Sequence, residues 1–457
     1  MVEWLLEQLR VAFSRRIENR VHGLQAAHLR IAKGMVLVAF FVLLGKLVGA
    51  LKEMAIAYRY GVSGVVDAYV FSLTFVTWLP VLWQSVLSAV LVPTFVSLPE
   101  REKSLFLSEL MGFHAIVGTA LALVIAVGLP FLVPHVFPGS SEIAVFNATA
   151  LTKGLAPVAM LSMLGGVLFT RLLAEERFVS TLTESLPALA VLIAVLAWPS
   201  DGVAPVSSSP LLYGTLFGFG TYVGALWLLL GSGGISTPFR WTFRSVAWRS
   251  IWRSLGYMAL GQLVISLTGP IDQVMAASLG EGAIATLSYA NRVVALILGL
   301  GATAVGRSIL PVLSKTISHP RSAWHVAGRW AQLLSLLGGC VALFGWWLAP
   351  WVINILFLRG AFSSADAEKV AEIFRYGLLQ VPFYFSGIVI VQFLASYGKY
   401  KEIGAIAATA TVTKILANLI LMKWMGASGI ALATGIMYMS SFVFSFLAGS
   451  YFIRHSS

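Results

Sequence analysis

The segment GKLVGALKEMAIAYRYGVSGVVDA, which begins at Gly45, carries charges at the end of a long apolar run. Lys46 and Glu53 are seven residues apart, so a helix would place both on one face. Gly45 and Gly49 form a small-xxx-small step beside them, which lets another backbone or a ligand approach closely. Because a charge in mid-bilayer costs roughly 3 kcal/mol even on insertion scales, we expect this face to line a hydrated cavity. The charged residues of the segment are Lys46, Lys52, Glu53, Arg59 and Asp67.

Basic residues from two distant segments suit an anionic ligand. Lys46 and Lys52 belong to the first apolar run, and Arg292 follows LSYAN at the start of the eighth. Fixed cations in a low-dielectric cavity bind phosphate strongly, which makes pyrophosphate the obvious biological candidate. The periodicity alone does not choose between pyrophosphate and another anion.

A second polar constellation is centred on Asp272, in LTGPIDQVM. Pro270 removes a backbone hydrogen bond and frees the carbonyl near Ser266. A carboxylate beside a freed carbonyl can bind a cation or a proton, and an ion pair with Lys414 on another helix is the alternative. Both interpretations stay open, and with them coupling to Na+ or H+.

Motifs for catalysis are missing from the sequence. It has no GxxxxGK[ST] phosphate loop, no HExxH and no paired cysteines, which argues against a built-in ATP site and the common metal centres. The glycines of LGLGATAVG lie inside an apolar run and suit helix packing rather than dinucleotide binding. We therefore predict a transporter driven by a gradient or by substrate flux, not an enzyme, with no catalytic residue, metal ligand or bound cofactor.

The elements that position these residues must be membrane-spanning helices. Of 457 residues, 58% are hydrophobic and 11% are charged, with a mean hydropathy of +0.87, against about 45–50% and 25% in soluble domains. Apolar runs long enough to cross a bilayer core of about 30 Å recur along the chain. The sequence predicts an all-α polytopic membrane protein with about twelve transmembrane helices. Their predicted centres are Leu43, Val81, Leu121, Leu161, Ala190, Phe219, Leu263, Leu298, Ala342, Phe385, Ala410 and Phe442.

The formal net charge of +12 follows from where the basic residues lie. In a soluble protein it would indicate nucleic-acid binding, but here Lys and Arg concentrate in alternate gaps between apolar runs. The positive-inside rule then places both termini in the cytoplasm, and we expect no nucleic-acid partner. Residues 1–33 are of mixed charge and predict a cytoplasmic amphipathic helix at the lipid headgroups.

The two halves of the chain resemble each other. SAVLVPTFVSL, which contains Pro93, matches RSILPVLSKTI, which contains Pro311, and RLLAEERF matches QFLASYGKY at a similar offset. Matching features at matching spacing predict two pseudo-symmetric lobes of six helices, related by an axis along the membrane normal. We expect the N-lobe at residues 34–232, a basic cytoplasmic linker at 233–253 and the C-lobe at 254–457.

Three segments in register carry a family resemblance. They are GKLVGALKEMAIAYRYGVSGVVDAYVFS, LSYANRVVALILGLGATAVGRSILPVLSK and NILFLRGAFSSADA. They resemble signatures of the MviN-like lipid II flippases, the MurJ family of the multidrug/oligosaccharidyl-lipid/polysaccharide exporter superfamily. The resemblance implies a central cavity that opens alternately to each side of a bacterial inner membrane. It also implies a cargo of undecaprenyl-pyrophosphate-linked saccharide for cell-envelope assembly, and we expect a monomer that works beside envelope-synthesis enzymes.

The resemblance assigns roles to individual residues of the first signature and the eighth span. Lys46 and Lys52 stand where the family has its first two arginines. Glu53 and Asp67 stand where it has acids, and Arg292 keeps the arginine of the eighth span. The resemblance implies that these residues bind or gate the pyrophosphate.

Some members of the family have a sodium site among helices seven, eleven and twelve. The resemblance places Asp272 and Asn418 in this region, with Lys414 where the ion would be. The resemblance therefore does not decide whether transport is coupled to Na+ or to H+.

The sequence departs from the family in two places that affect the cargo. The second span, FVTWLPVLWQSVLSAVLVP, lacks the usual arginine pair and glutamate, and Gln84 is its nearest polar substitute. Lysine also replaces arginine twice, which removes bidentate phosphate geometry. A lipid-linked oligosaccharide for exopolysaccharide or O-antigen is therefore the alternative cargo. Alternatives of another class are a cation-coupled multidrug exporter, which would need acidic and aromatic cavity residues, and a non-transporting scaffold.

Overall fold

A computed structural model of the protein describes residues 40–137, 142–199, 207–231, 239–248, 251, 262–264, 266–315 and 320–455. Within helices, the side chains of residues 143, 300 and 303–315 are outside this description. The amphipathic helix predicted at 1–33 and much of the linker predicted at 233–253 also lie outside the described residues.

The described residues fold into helices and contain no strand. The N-lobe comprises α1 (40–60), α2 (Gly64–Ser97), α3 (Glu100–Val136), α4 (Glu142–Leu155), α5 (Pro157–Ala174), α6 (Ser180–Thr183), α7 (Leu186–Ala197) and α8 (Ser209–Leu230). The C-lobe comprises α9 (Thr268–Ala277), α10 (Ala283–Lys315), α11 (Pro320–Phe357), α12 (Ser364–Leu378), α13 (Val381–Ser396), α14 (Tyr400–Met425) and α15 (Ala427–His455).

The helices have the length and surface of membrane spans. Within the described residues, nine continuous or briefly interrupted helices are long and apolar enough to cross a bilayer, and every predicted span centre falls in helical residues. Leu228, Trp347 and Trp424 are each at least 80% exposed, as expected of side chains that face lipid. The predicted all-α polytopic fold is confirmed.

Proline interrupts the fourth span of each lobe at an equivalent place. In the N-lobe, α5 begins at Pro157 directly after α4, and in the C-lobe, α13 begins at Val381 with Pro382 in its first turn. Proline is tolerated there because the N–H that it lacks would have no partner in a first turn. The matched interruptions agree with the predicted two-lobe repeat.

The lobes join where α1 turns into α2. Residues 58–67 of this turn contact residues 281–289 and Ala361 of the C-lobe, and we call these segments together the closed end. The turn residue Gly61 has a φ of 57°, a left-handed conformation that glycine adopts without strain. Three hydrogen bonds run from the Ala361 N–H to the Tyr58 carbonyl (2.8 Å), from the Tyr289 hydroxyl to the Gly61 carbonyl (3.0 Å) and from the Gly64 N–H to the Glu281 carboxylate (3.0 Å).

At the opposite end of the N-lobe, the described part of the inter-lobe linker, residues 239–248, packs on α3. The anchor is Glu109 of α3, whose side chain is fully buried. A buried carboxylate needs hydrogen-bond donors to offset its desolvation, and the linker supplies them. Glu109 accepts hydrogen bonds from the Thr242 hydroxyl (2.5 Å), the N–H groups of Arg244 (2.9 Å) and Ser245 (3.1 Å), and the Trp248 indole (2.9 Å).

Candidate substrate site

A cavity of about 270 Å³ lies between the lobes, and its charged lining comes from both. Helix α1 contributes Lys46, Lys52 and Glu53, and α10 contributes Arg292. We call it the cation cavity. Three cations and one carboxylate give it a net formal charge of +2. The structure thus brings together the three basic residues singled out in the sequence and one of the two acids.

Glu53 links two cations that belong to different lobes. Its Oε1 lies 2.8 Å from Lys52 Nζ and 3.2 Å from Arg292 Nε. Glu53 and Lys52 are buried, whereas the Arg292 side chain is 53% exposed. A guanidinium has five N–H donors, so Arg292 can bind Glu53 and still present donors to an anion in the cavity.

Lys46 reaches the C-lobe because α10 has a glycine opposite it. A Cβ at Gly299 would lie 2.5 Å from Lys46 Nζ, so any other residue would displace the ammonium group. Arg292 and Gly299 are seven residues apart, as are Lys46 and Glu53, and each pair shares one helix face. The charged faces of α1 and α10 therefore oppose each other across the lobe interface.

A second cavity of about 560 Å³ lies within the N-lobe and shares Lys52 and Ala188 with the cation cavity. We call it the N-lobe cavity. Glu184, which follows α6, is the one carboxylate among its described lining residues. Hydroxyl and amide groups supply the rest of its polar wall, including those of Thr77, Gln84, Ser88, Ser162, Thr215 and Tyr222.

Sequence reasoning missed Glu184. It lies in TLTESLP, which contains no motif, at the edge of the short apolar run centred near Ala190. The sequence did contain one indication of a functional role. Glu184 is an isolated carboxylate within one turn of an apolar run, and carboxylates are rare in membrane spans. That it faces a cavity depends on how α6 and α7 pack in the N-lobe, which periodicity does not show.

Asp67 lies outside the cation cavity, unlike the other acid of the first signature. Its carboxylate accepts the N–H of Gly282 at 2.5 Å and the N–H of Ala285 at 2.6 Å, and only 2% of the residue is exposed. It caps the N-terminus of α10, where unpaired N–H groups and the helix dipole favour a carboxylate. Asp67 therefore joins the lobes at the closed end and does not line the cation cavity.

Asp272 forms an ion pair in the C-lobe. Its Oδ2 lies 2.6 Å from Lys414 Nζ, and its Oδ1 accepts a hydrogen bond from Asn418 Nδ2 at 3.0 Å. All three residues are buried. Of the two interpretations of Asp272, the structure contains the interhelical ion pair with Lys414.

Comparison with known proteins decides the family. The family described as Lipid II flippase MurJ matches residues 56–449, most of the chain. The chain belongs to this family. The MurJ match includes Arg292 and begins just after Glu53, so the assignment of Lys46 and Lys52 to a site rests on the cavity geometry.

Curated relatives carry the same family name. The chain is 26% identical to a probable lipid II flippase MurJ of Thermotoga maritima, over 87% of this chain and 81% of the relative. It is 23% identical to a probable lipid II flippase MurJ of Buchnera aphidicola, over 89% of this chain and 81% of the relative. The alignments extend through both lobes of this chain.

Solved structures show the fold. A lipid II flippase MurJ in an inward closed conformation matches with a TM-score of 0.76 and 21% identity, over 90% of this chain and 87% of that one. An inward-facing multidrug resistance transporter of the MATE family and MOP superfamily matches with a TM-score of 0.70 and 14% identity, over 93% of this chain and 100% of that one. The fold of this chain is therefore similar both to that of a lipid II flippase and to that of a multidrug resistance transporter.

Proposed function

We propose that the protein is an alternating-access flippase that moves a polyprenyl-pyrophosphate-linked saccharide, with lipid II as the first candidate, to the outer leaflet of the bacterial cytoplasmic membrane. The cation cavity carries the proposal, because Lys46, Lys52 and Arg292 face one space with a net formal charge of +2. A pyrophosphate diester brings about two negative charges and several acceptor oxygens. The names of the MurJ relatives support the same class of cargo.

Glu53 holds the cations of the cavity in a defined arrangement. It bridges Lys52 and Arg292 across the lobe interface. A pyrophosphate competes for the same donors and can replace Glu53 as the bridge between the lobes. Cargo binding then changes the free energy of one lobe arrangement relative to another. A transporter needs such a change in order to shift between its states.

The distribution of basic residues orients the molecule. The linker with Arg240 and Arg244 and the segment after α5 with Arg177 lie at the end opposite the closed end. The positive-inside rule places that basic end in the cytoplasm, so the closed end faces outward. The arrangement described is then an inward-facing state, and release of cargo requires the closed end to separate.

Reconstitution tests this function. In proteoliposomes that contain fluorescent lipid II, we expect Lys46→Ala, Lys52→Ala and Arg292→Ala each to slow flipping by roughly tenfold or more, because each removes a charge-assisted contact. Lys401→Ala and Arg329→Ala remove exposed cations outside the cavity and should flip at the wild-type rate. Full activity of all three cavity variants would contradict the proposal.

A lipid-linked oligosaccharide other than lipid II is a second candidate cargo. The N-lobe cavity favours it, because its α2 wall presents the uncharged polar residues Thr77, Gln84 and Ser88 instead of the arginine pair and glutamate expected from the family. Depletion of the protein in its host, followed by identification of the lipid-linked intermediate that accumulates in the inner leaflet, distinguishes the two cargoes.

A further inference from the structure

The N-lobe cavity contains a carboxylate that pyrophosphate binding does not use. Glu184 is exposed to the cavity, and within the described residues no hydrogen bond or ion pair engages its side chain. An ionised carboxylate among membrane spans is costly and marks a functional site by default. The groups that line the cavity with Glu184 therefore indicate the chemistry of its ligand.

Ser162 supplies a second unused polar group in the same cavity. The residue is 7% exposed, and its hydroxyl oxygen has no hydrogen-bond partner among the described residues. A buried hydroxyl without a partner is destabilising, and a ligand that fills the cavity can supply the missing hydrogen bond. Glu184 and Ser162 therefore both present oxygen atoms on the cavity wall that can accept hydrogen bonds from a ligand.

The position of Glu184 relative to the cations constrains the ligand. Ala188, in the first turn of α7, follows Glu184 by four residues, and it lines both cavities together with Lys52. A single ligand can therefore extend from the cation cavity into the N-lobe cavity. Along this path it meets a cluster of positive charge and then one negative charge.

We propose that the N-lobe cavity binds the saccharide head of the cargo and that Glu184 recognises a basic amine on that head. This rests on the proposed function, since the pyrophosphate of the same molecule occupies the cation cavity. The hydroxyl and amide wall suits sugar hydroxyl groups. A volume of about 560 Å³ falls in the range of organic ligand pockets and far exceeds what a coupling ion requires.

Two synthetic cargoes test the proposal. Both are polyprenyl-pyrophosphate disaccharides, identical except that one has a free primary amine on its sugars and the other has that amine acetylated. In proteoliposomes at limiting cargo, we expect the wild-type protein to flip the amine cargo about tenfold faster or more, as a charge-assisted hydrogen bond allows. Glu184→Gln should flip both cargoes at the rate of the acetylated one, whereas Glu176→Gln, an exposed acid outside the cavity, should keep the preference.

The other outcomes each contradict a different claim. Equal flipping of both cargoes by the wild-type protein overturns the amine site and leaves the flippase function standing, and this comparison needs no variant. No flipping of either cargo contradicts the flippase function itself. If Glu184→Gln slows both cargoes alike and removes a dependence on an imposed proton or sodium gradient, Glu184 binds a coupling ion, and the amine proposal is wrong.

Discussion

Individual side chains, rather than backbone alone, connect the two lobes at the cation cavity. Glu53 bridges Lys52 and Arg292, and Lys46 lies against Gly299 of the other lobe. The contacts of Glu53 with Arg292 and of Lys46 with Gly299 cross the interface that alternating access must rearrange. The positions of the cations therefore depend on the state of the transporter.

Gly299 should be needed for the position of Lys46. In Gly299→Ala, the new Cβ would lie 2.5 Å from Lys46 Nζ, so the flexible ammonium moves and flipping should slow several-fold while thermal stability is kept. In a Lys46→Met background the same change should have little further effect, because residues in contact are not additive. Gly339→Ala, where an added Cβ has open space, is the control. Equal slowing by Gly299→Ala in both backgrounds would contradict the contact.

The Asp272–Lys414 ion pair should stabilise the C-lobe. Lys414→Met leaves a buried carboxylate without its cation, which typically costs about 3–5 kcal/mol, so Tm should fall. Adding Asp272→Asn removes the stranded charge and should recover most of the loss. Lys423→Met removes an exposed lysine of the same helix and should leave Tm unchanged. A Lys414→Met protein as stable as wild type would show that the pair is not formed.

The sequence predicted some of these contacts and not others, for physical reasons. A spacing of seven residues places Lys46 and Glu53 on one helix face wherever the helix packs. Asp67 follows the turn at Gly61, and its direction depends on how that turn meets the C-lobe. The resemblance grouped Asp67 with residues that bind or gate the pyrophosphate, and the structure shows that it caps α10 at the closed end.

The helices follow from hydropathy, whereas their interruptions and the path of the linker do not. Apolar runs long enough for the bilayer define the spans, because lipid requires each backbone N–H to be bonded within its own helix. The breaks before Pro157 and Pro382 fall inside segments that are single membrane spans by length and hydropathy. The linker was predicted from its charge as a basic cytoplasmic segment, and its attachment to Glu109 depends on a buried carboxylate of α3 that no motif marks.

Glu109 should hold the linker against the N-lobe. In Glu109→Gln, an NH₂ group replaces one carboxylate oxygen. Because this group cannot accept hydrogen bonds, the donors that faced that oxygen lose their partner, which typically costs about 1–3 kcal/mol of local stability. Trypsin should then cleave after Arg240 or Arg244 roughly tenfold faster than in wild type, since cleavage tracks the open population. Glu102→Gln, an exposed acid on the same helix, should not change the rate. Unchanged cleavage in Glu109→Gln would show that other contacts hold the linker.

The whole molecule is two lobes held at the closed end, with the cation cavity deeper in the interface. The Glu53–Arg292 contact and the hydrogen bonds of the closed end both join the two lobes. On the proposed function, a cargo that displaces Glu53 therefore changes how strongly the lobes are held together. Hydropathy and the internal repeat predicted the two lobes. Which end is closed depends on tertiary contacts between loops, such as that of Ala361 with Tyr58.

Separation of the closed end should be required for flipping. A Cβ at Gly282 would lie 4.0 Å from that of Val62 in the other lobe, within the range of about 3.5–4.5 Å for a disulfide. Gly282 has a φ of 84°, which strains a cysteine at this position, so the reduced variant is measured first. In a Cys340→Ala background, reduced Val62→Cys/Gly282→Cys should flip, oxidation should stop flipping, and reduction should restore it. The control pair Gly435→Cys/Leu379→Cys, at 3.8 Å within the C-lobe, should leave flipping unaffected. Continued flipping by a fully cross-linked inter-lobe pair would exclude this motion.

Recognition of pyrophosphate by the cation cavity can be tested with two lipid-linked saccharides that differ by one phosphate. In proteoliposomes, we expect the wild-type protein to flip the pyrophosphate-linked cargo roughly tenfold faster or more than the monophosphate-linked cargo, because the second phosphate adds charge-assisted bonds. Arg292→Ala should lose most of this preference, while Arg329→Ala keeps it. A wild-type protein that flips both cargoes equally, or an Arg292→Ala variant with the full preference, would contradict the account.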